Sequence, residues 1–166
     1  LNHIGSYYLF KGSFNIAIEY YRKASQFHRS TQPRVLKGVA LAVNNIGMVQ
    51  LEKGQVAQAE RIFRKALRID QTLGYKKGIA RELGNLGKVK FEQKMFDSAL
   101  VYYQNAIQIE RELNHVLGTL ETMVDIAKVH LATGNYAEAD KVLNGASNLN
   151  TECHLAANVW ILNLKS

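Results

Sequence analysis

The reactive side chains of this 166-residue chain are few and poorly placed for catalysis. Its histidines are His3, His28, His115, His130 and His154, and no two fall three or four residues apart. They therefore cannot share one helical face as paired ligands or an acid–base couple would. No His-Glu-x-x-His occurs. Cys153 stands next to His154, and adjacent residues of a helix point apart, so they do not make a nucleophile with its base. Gly87-Lys88 has Glu82 where a phosphate-cradling loop needs its first glycine and Val89 where it needs a hydroxyl. No pair of carboxylates stands out from solvated faces. The expectation is a protein that is not an enzyme, with no catalytic residue, metal ligand or cofactor.

The elements explain why these groups are scattered. Small residues after an aliphatic one recur as Ile4-Gly5, Ile46-Gly47, Leu86-Gly87 and Ile126-Ala127, at spacings of 42, 40 and 40. Four further columns keep step: Gly12, Gly54, Lys94, Gly134; Ala17, Ala59, Ala99, Ala139; Tyr21, Phe63, Tyr103, Leu143; and Ala24, Ala66, Ala106, Ala146. Five columns in one register over four units mark an internal repeat. Within a unit the apolar residues recur at three and four, as in Ala59, Ile62, Phe63, Ala66 and Leu67, which is a buried helical stripe. The glycines between the stripes end one helix by adopting positive φ. Phe14, Val56, Phe96 and Tyr136 open each second helix. One proline in the whole chain leaves nearly all of it free to be helical.

The spacing predicts helices over about 1–11, 14–29, 35–53, 56–72, 76–93, 96–113, 116–133, 136–149 and 153–165. The repeats run over about 1–33, 34–74, 75–114 and 115–150, with a partial unit over 151–166. The fold class is all-α, a right-handed α-solenoid of about four hairpins plus a terminal helix, forming a single domain. A chain that opens on Leu1 within a helix reads as a fragment of a longer protein.

These residues resemble the tetratricopeptide repeat (TPR) family over essentially the whole chain. Asn45-Ile46-Gly47, Asn85-Leu86-Gly87 and the stretch Gly74-Tyr75-Lys76-Lys77-Gly78-Ile79-Ala80 look like its long variety, whose period matches the spacing of the columns. That variety is found in kinesin light chain, Pins-like adaptors and bacterial signalling proteins. Asp125-Ile126-Ala127 and Lys94 depart from the pattern. The resemblance implies a superhelix whose concave face is lined by the first helix of each hairpin. It also implies that the column His3, Asn45, Asn85, Asp125, with Asn163 as the next candidate, holds a peptide backbone. A carboxamide suits that task, since it donates to a carbonyl and accepts from an N–H. The alternative is that these amides bond neighbouring helices or water. Asn44, Met48, Arg81, Lys88, Glu121 and Lys128 share the face.

The expected function is a protein–protein interaction scaffold that takes a peptide or partner segment in this groove. The second reading is a regulatory or sensor domain of a larger signalling protein. Net charge is +7, and Arg81, Lys88 and Lys128 give a weak preference for acidic ligands. No Lys/Arg run exists, so nucleic acid is not an expected partner. Tyr21 and Tyr103 sit in a core column and are not a base-stacking platform. No apolar run is long enough to span a membrane, and the single cysteine fits a reducing, cytoplasmic setting. Unpaired end helices, carrying residues such as Val159, Trp160 and Leu162, would offer surface for self-association.

If the alanine columns mark helix contacts, Ala59→Leu or Ala99→Leu should destabilise by about 1–3 kcal/mol through overpacking. Thermal unfolding is the check, and an unchanged melting temperature would place those contacts elsewhere.

Overall fold

The computed structural model describes the backbone over residues 33–163 and side chains over 37–151, with residues 4, 5, 7, 8, 11, 13, 16, 19, 20 and 23 before them. The readings on His3, Gly12, Phe14, Ala17, Tyr21 and Ala24, and on the side chains of Cys153, His154, Trp160 and Asn163, lie outside the described residues.

Among the described residues six helices follow one another: α1 (Pro33–Glu52), α2 (Val56–Thr72), α3 (Lys76–Glu92), α4 (Phe96–Glu112), α5 (Val116–Ala132) and α6 (Tyr136–Asn163). The same residues hold no strand. The helices pair as hairpins α1–α2, α3–α4 and α5–α6. Each second helix also packs on the next first helix, and α3 touches both α1 and α5. This is the α-solenoid expected from the repeat. No described helix is long and apolar enough to cross a membrane.

Every described turn between these helices is built alike. Gly54, Gly74, Lys94, Asn114 and Gly134 have φ of 71°, 59°, 61°, 51° and 76°. The N–H of the next residue reaches back five positions in each case: Gln55 to Gln50, Tyr75 to Asp70, Met95 to Lys90, His115 to Glu110 and Asn135 to His130, at 2.8–2.9 Å. This closes the helix end and satisfies a carbonyl that would otherwise be orphaned. The donors Gln55, Tyr75, Met95 and His115 are themselves the N-caps of the following helices. The turns at 54, 74, 94, 114 and 134 therefore recur at half the period of the sequence columns.

The small column explains the close approach within a hairpin. A Cβ on Gly47 would lie 2.6 Å from the Phe63 ring, and one on Gly87 would lie 2.5 Å from the Tyr103 ring. Each glycine is thus the hole into which the partner helix inserts an aromatic side chain. At the fourth unit Ala127 replaces the glycine and Leu143 replaces the ring, and Leu143 is 42% exposed. Ala59, Phe63, Leu86 and Val89 form one core cluster across two hairpins. Ala99, Tyr103 and Val129 continue it across the next pair.

The last helix differs from expectation. The spacing predicts a break between 149 and 153, but α6 runs unbroken over 28 residues. The tract Asn148 to Glu152 contains no glycine or proline. Thr151 donates its hydroxyl to the Ser147 carbonyl at 2.9 Å, which keeps that side chain inside the helical pattern. Gly145 is tolerated, and a Cβ there would meet Met123 at 3.2 Å.

Gly87→Ala should cost about 1–3 kcal/mol, because its methyl group enters the space of the Tyr103 ring. Adding Tyr103→Leu, the pairing already present at Ala127 and Leu143, should recover part of the packing strain. Urea denaturation of both single variants and the double variant reads the coupling. Strict additivity would show that the glycine and the ring do not interact.

Candidate binding groove

The first helices α1, α3 and α5 lie side by side along one face. Two adjoining cavities open on it. The larger, about 530 Å³, is walled by Met48 and Leu51 of α1, Lys88 and Phe91 of α3, and Asp125 and Lys128 of α5. The smaller, about 190 Å³, is lined by Arg81 and Asn85 of α3, Glu121, Thr122 and Asp125 of α5, and Glu110 from the end of α4. Lys88 and Asp125 border both. The floor of the larger cavity includes Tyr103, whose ring is buried.

Of the nine predicted groove residues, Met48, Arg81, Asn85, Lys88, Glu121, Asp125 and Lys128 line these cavities. Asn44 and Asn45 do not. Asn44 is buried, with its carboxamide 2.7 Å from that of Asn85, 3.2 Å from Asn45 Oδ1 and within 3.2 Å of both carboxylate oxygens of Glu82. The amide column is thus stitched sideways from α1 to α3. Of the two roles open to it in the sequence, bonding between helices is visible in the structure.

The cations of the face are also engaged. Lys128 Nζ lies 2.8 Å from Asp125 Oδ1, and Lys88 Nζ lies 3.6 Å from Asp125 Oδ2. Arg81 Nη2 reaches Asp70 Oδ2 at 3.2 Å and Glu82 Oε1 at 2.9 Å. Both of those acids are fully buried. Burial pushes Glu82 up to about 7, against the pull of Arg81, and the neighbouring Asp70 charge raises it further. Burial raises Asp70 as well. Two carboxylates sharing one guanidinium in a dry joint favour keeping one proton.

A glycine makes room for Asp70, and another for the buried Glu110. A Cβ on Gly78 would overlap the Asp70 carboxylate, and one on Gly118 would overlap His115 and crowd Glu110. Asp70, Glu82, Glu110 and Thr122 were not singled out from the sequence. The signal was present: an acid followed eight residues later by glycine, at 70/78 and again at 110/118. A second staple joins α2 to α3. Glu60 is raised by burial, but hydrogen bonds from Arg64, Lys90 and Gln93 together outweigh that and pull it down to about 2.

A family model described as the MalT-like TPR region matches residues 1–166. The chain belongs to this family. No curated protein matches the TPR region by sequence. Among solved structures it is similar to aspartyl phosphate phosphatase F from Bacillus subtilis, with a TM-score of 0.83 and 17% identity over 92% of this chain and 40% of that one. It is also similar to the Rap conjugation gene regulator of the plasmid pLS20, solved in complex with a Phr peptide, with a TM-score of 0.81 and 20% identity over 92% and 41% of the two chains. A third is BtubC from P. vanneervenii, with a TM-score of 0.77 and 20% identity over 92% and 63%. The TPR region thus spans about two fifths to three fifths of these proteins. At such identities the likeness shows the fold, which is the long-repeat TPR solenoid read from the columns.

Because the folded state holds the Glu82 proton up to about 7, while the ordinary value is 4.5, that proton stabilises the fold fully below pH 4.5. The contribution is lost as pH rises through 7. Glu82→Gln carries a permanently neutral group, so its stability should not show this loss. Relative to the variant, the wild type should lose up to about 3 kcal/mol between about pH 4.5 and 8. Urea midpoints measured across that window test it; parallel curves would mean that Glu82 titrates as an ordinary carboxylate.

Proposed function

We propose that this TPR region is an interaction module that receives a peptide or partner segment along the α1–α3–α5 groove and does no chemistry itself. The observation that carries the reading is the pair of adjoining cavities, about 530 and 190 Å³, on one face of three consecutive first helices. A groove of this shape, apolar at Met48, Leu51 and Phe91 and polar at its rims, suits an extended chain with alternating contacts. The pLS20 regulator, a protein of the same fold, was solved with a peptide.

A regulatory role within a larger protein is the second reading. That neighbour is a gene regulator, and peptide occupancy of a stacked solenoid can bias its curvature. The preference for acidic ligands expected from Arg81, Lys88 and Lys128 is muted, because all three already face the protein's own carboxylates. An acidic ligand would have to displace Asp125, Asp70 or Glu82. Self-association is not part of this proposal, since it was drawn from the two end segments rather than from the groove.

The test is affinity selection from a random peptide library, followed by amide shift mapping of the selected peptides. Shifts should fall on α1, α3 and α5. Lys88→Trp places a bulky ring at the wall the two cavities share and should weaken binding at least tenfold. Lys141→Trp, at an exposed position of α6, should leave binding unchanged. Peptides that map to the α2–α4–α6 side, or that ignore Lys88→Trp, would remove the proposal.

A further inference from the structure

The repeat supplies an internal comparison between two joints, one full period apart. The α2–α3 joint and the α4–α5 joint share columns: Asp70 with Glu110, Gly78 with Gly118, Asn85 with Asp125. At the first joint two side chains occupy the space in front of the buried acid. Arg81 lays its guanidinium against Asp70 and Glu82, and Asn44 fills the place beside them and bonds Asn85. At the second joint the corresponding positions are Glu121 and Gly84, and Thr122 stands at the position of Glu82. A guanidinium has given way to a carboxylate, and an amide to hydrogen.

The smaller cavity opens at these positions. A Cβ built on Gly84 meets no heavy atom within 4 Å. The acid at the back remains: Glu110 is only 6% exposed, with Oε2 held by the Thr122 hydroxyl at 2.9 Å. The His115 ring stands beside it and also borders the cavity. Among the described residues no cation forms a salt bridge with Glu110 or with Glu121. The lysines and the arginine that border the cavity are paired with other acids or exposed. Arg81 faces Asp70 and Glu82, Lys88 faces Asp125, and Lys77 is exposed. No group of acids or histidines among the described residues is arranged to hold a metal ion. The first joint shows which cation fits such a place, a planar guanidinium whose fork reaches two carboxylates at once.

We propose that the cavity between α3 and α5 is the subsite for an arginine side chain of the bound peptide. The guanidinium would lie between Glu110 and Glu121, in front of Glu110 as that of Arg81 lies in front of Asp70 one unit earlier, with Thr122 standing where Glu82 stands there. The open position at Gly84 admits the aliphatic stem. The Lys88–Asp125 pair, which borders both cavities, separates this subsite from the larger cavity, where the neighbouring residues of the peptide lie. This deepens the groove reading and rests on it for the rest of the peptide, but the subsite can be probed alone.

The probe is acetyl-arginine amide, compared with acetyl-citrulline amide, its neutral near-isostere. Arginine should shift the amides of Gly84, Gly118 and Thr122, and citrulline at equal concentration should not. Glu121 is exposed, so its variants should fold. Glu121→Gln should weaken the arginine probe several-fold. Glu121→Arg should set the chain's own guanidinium in front of Glu110, fill the cavity from within and abolish binding. Equal binding of the two probes, or an unchanged response in Glu121→Arg, overturns the subsite. The groove reading fails separately: library peptides that bind on α1, α3 and α5 without favouring arginine leave the groove standing and remove the subsite. Library peptides that map elsewhere, while the arginine probe still shifts Gly118 and Thr122, do the reverse.

Discussion

The chain must reverse direction twice in every repeat without orphaning the carbonyls at its helix ends, and the rest of the solenoid depends on how it does so. One residue in the left-handed region and one hydrogen bond from the next N–H accomplish each reversal. The same residue that closes one helix is the N-cap of its successor. No slack exists between elements, so successive helices are held antiparallel and in contact. Glycine holds this position at 54, 74 and 134 at no steric cost. Asn114 adopts the same φ as a residue that tolerates it, and Lys94 adopts it with a Cβ that does not favour it, which shows that the array imposes the turn even there.

Two kinds of contact then fix how the hairpins lean. Inside a hairpin the contact is apolar: a ring from the second helix seats on a glycine of the first, at Gly47 with Phe63 and Gly87 with Tyr103. Between hairpins the joint also carries buried acids, Asp70 and Glu110, each seated over a glycine of the following helix. Burying a carboxylate is costly unless it is paired or protonated. The first joint meets that cost with Arg81. The second meets it partly with Thr122. Apolar packing therefore holds the stack together, and the polar joints are where one unit differs chemically from the next.

The repeat length, the all-helical class and the pairing of helices were legible because they rest on small and apolar residues recurring at fixed spacing. A glycine or alanine cannot be exchanged at a helix crossing without moving the ring opposite, so that signal survives in a single sequence. The groove was legible only as a face. Asn45, Asn85 and Asp125 share a column, yet the column does not tell where an amide points, and Asn85 turns sideways to Asn44 rather than outward. The continuity of α6 through 150–152 was hidden because Asn and Thr suit a helix end as well as an interior that back-bonds its hydroxyl. The buried acids were overlooked for a similar reason. An Asp or Glu near a helix end reads as solvated until the glycine eight residues on is recognised as the space it enters.

Differences between units are therefore informative in a way that the shared columns are not. Substituting Arg81 by Glu121 and Asn44 by Gly84 costs the second joint its internal cation and an amide, and no salt bridge among the described residues pairs with Glu121 in exchange. One of the two buried acids of the first joint goes with the arginine, since Thr122 stands at the position of Glu82, and an unpaired carboxylate is worse than an apolar side chain. Glu110 has stayed, still seated over Gly118 and held by Thr122. Retaining Glu110 while removing the arginine is what a joint would do if the arginine arrived from outside, and recognition would then fall at a point of the groove where the solenoid departs from its own pattern.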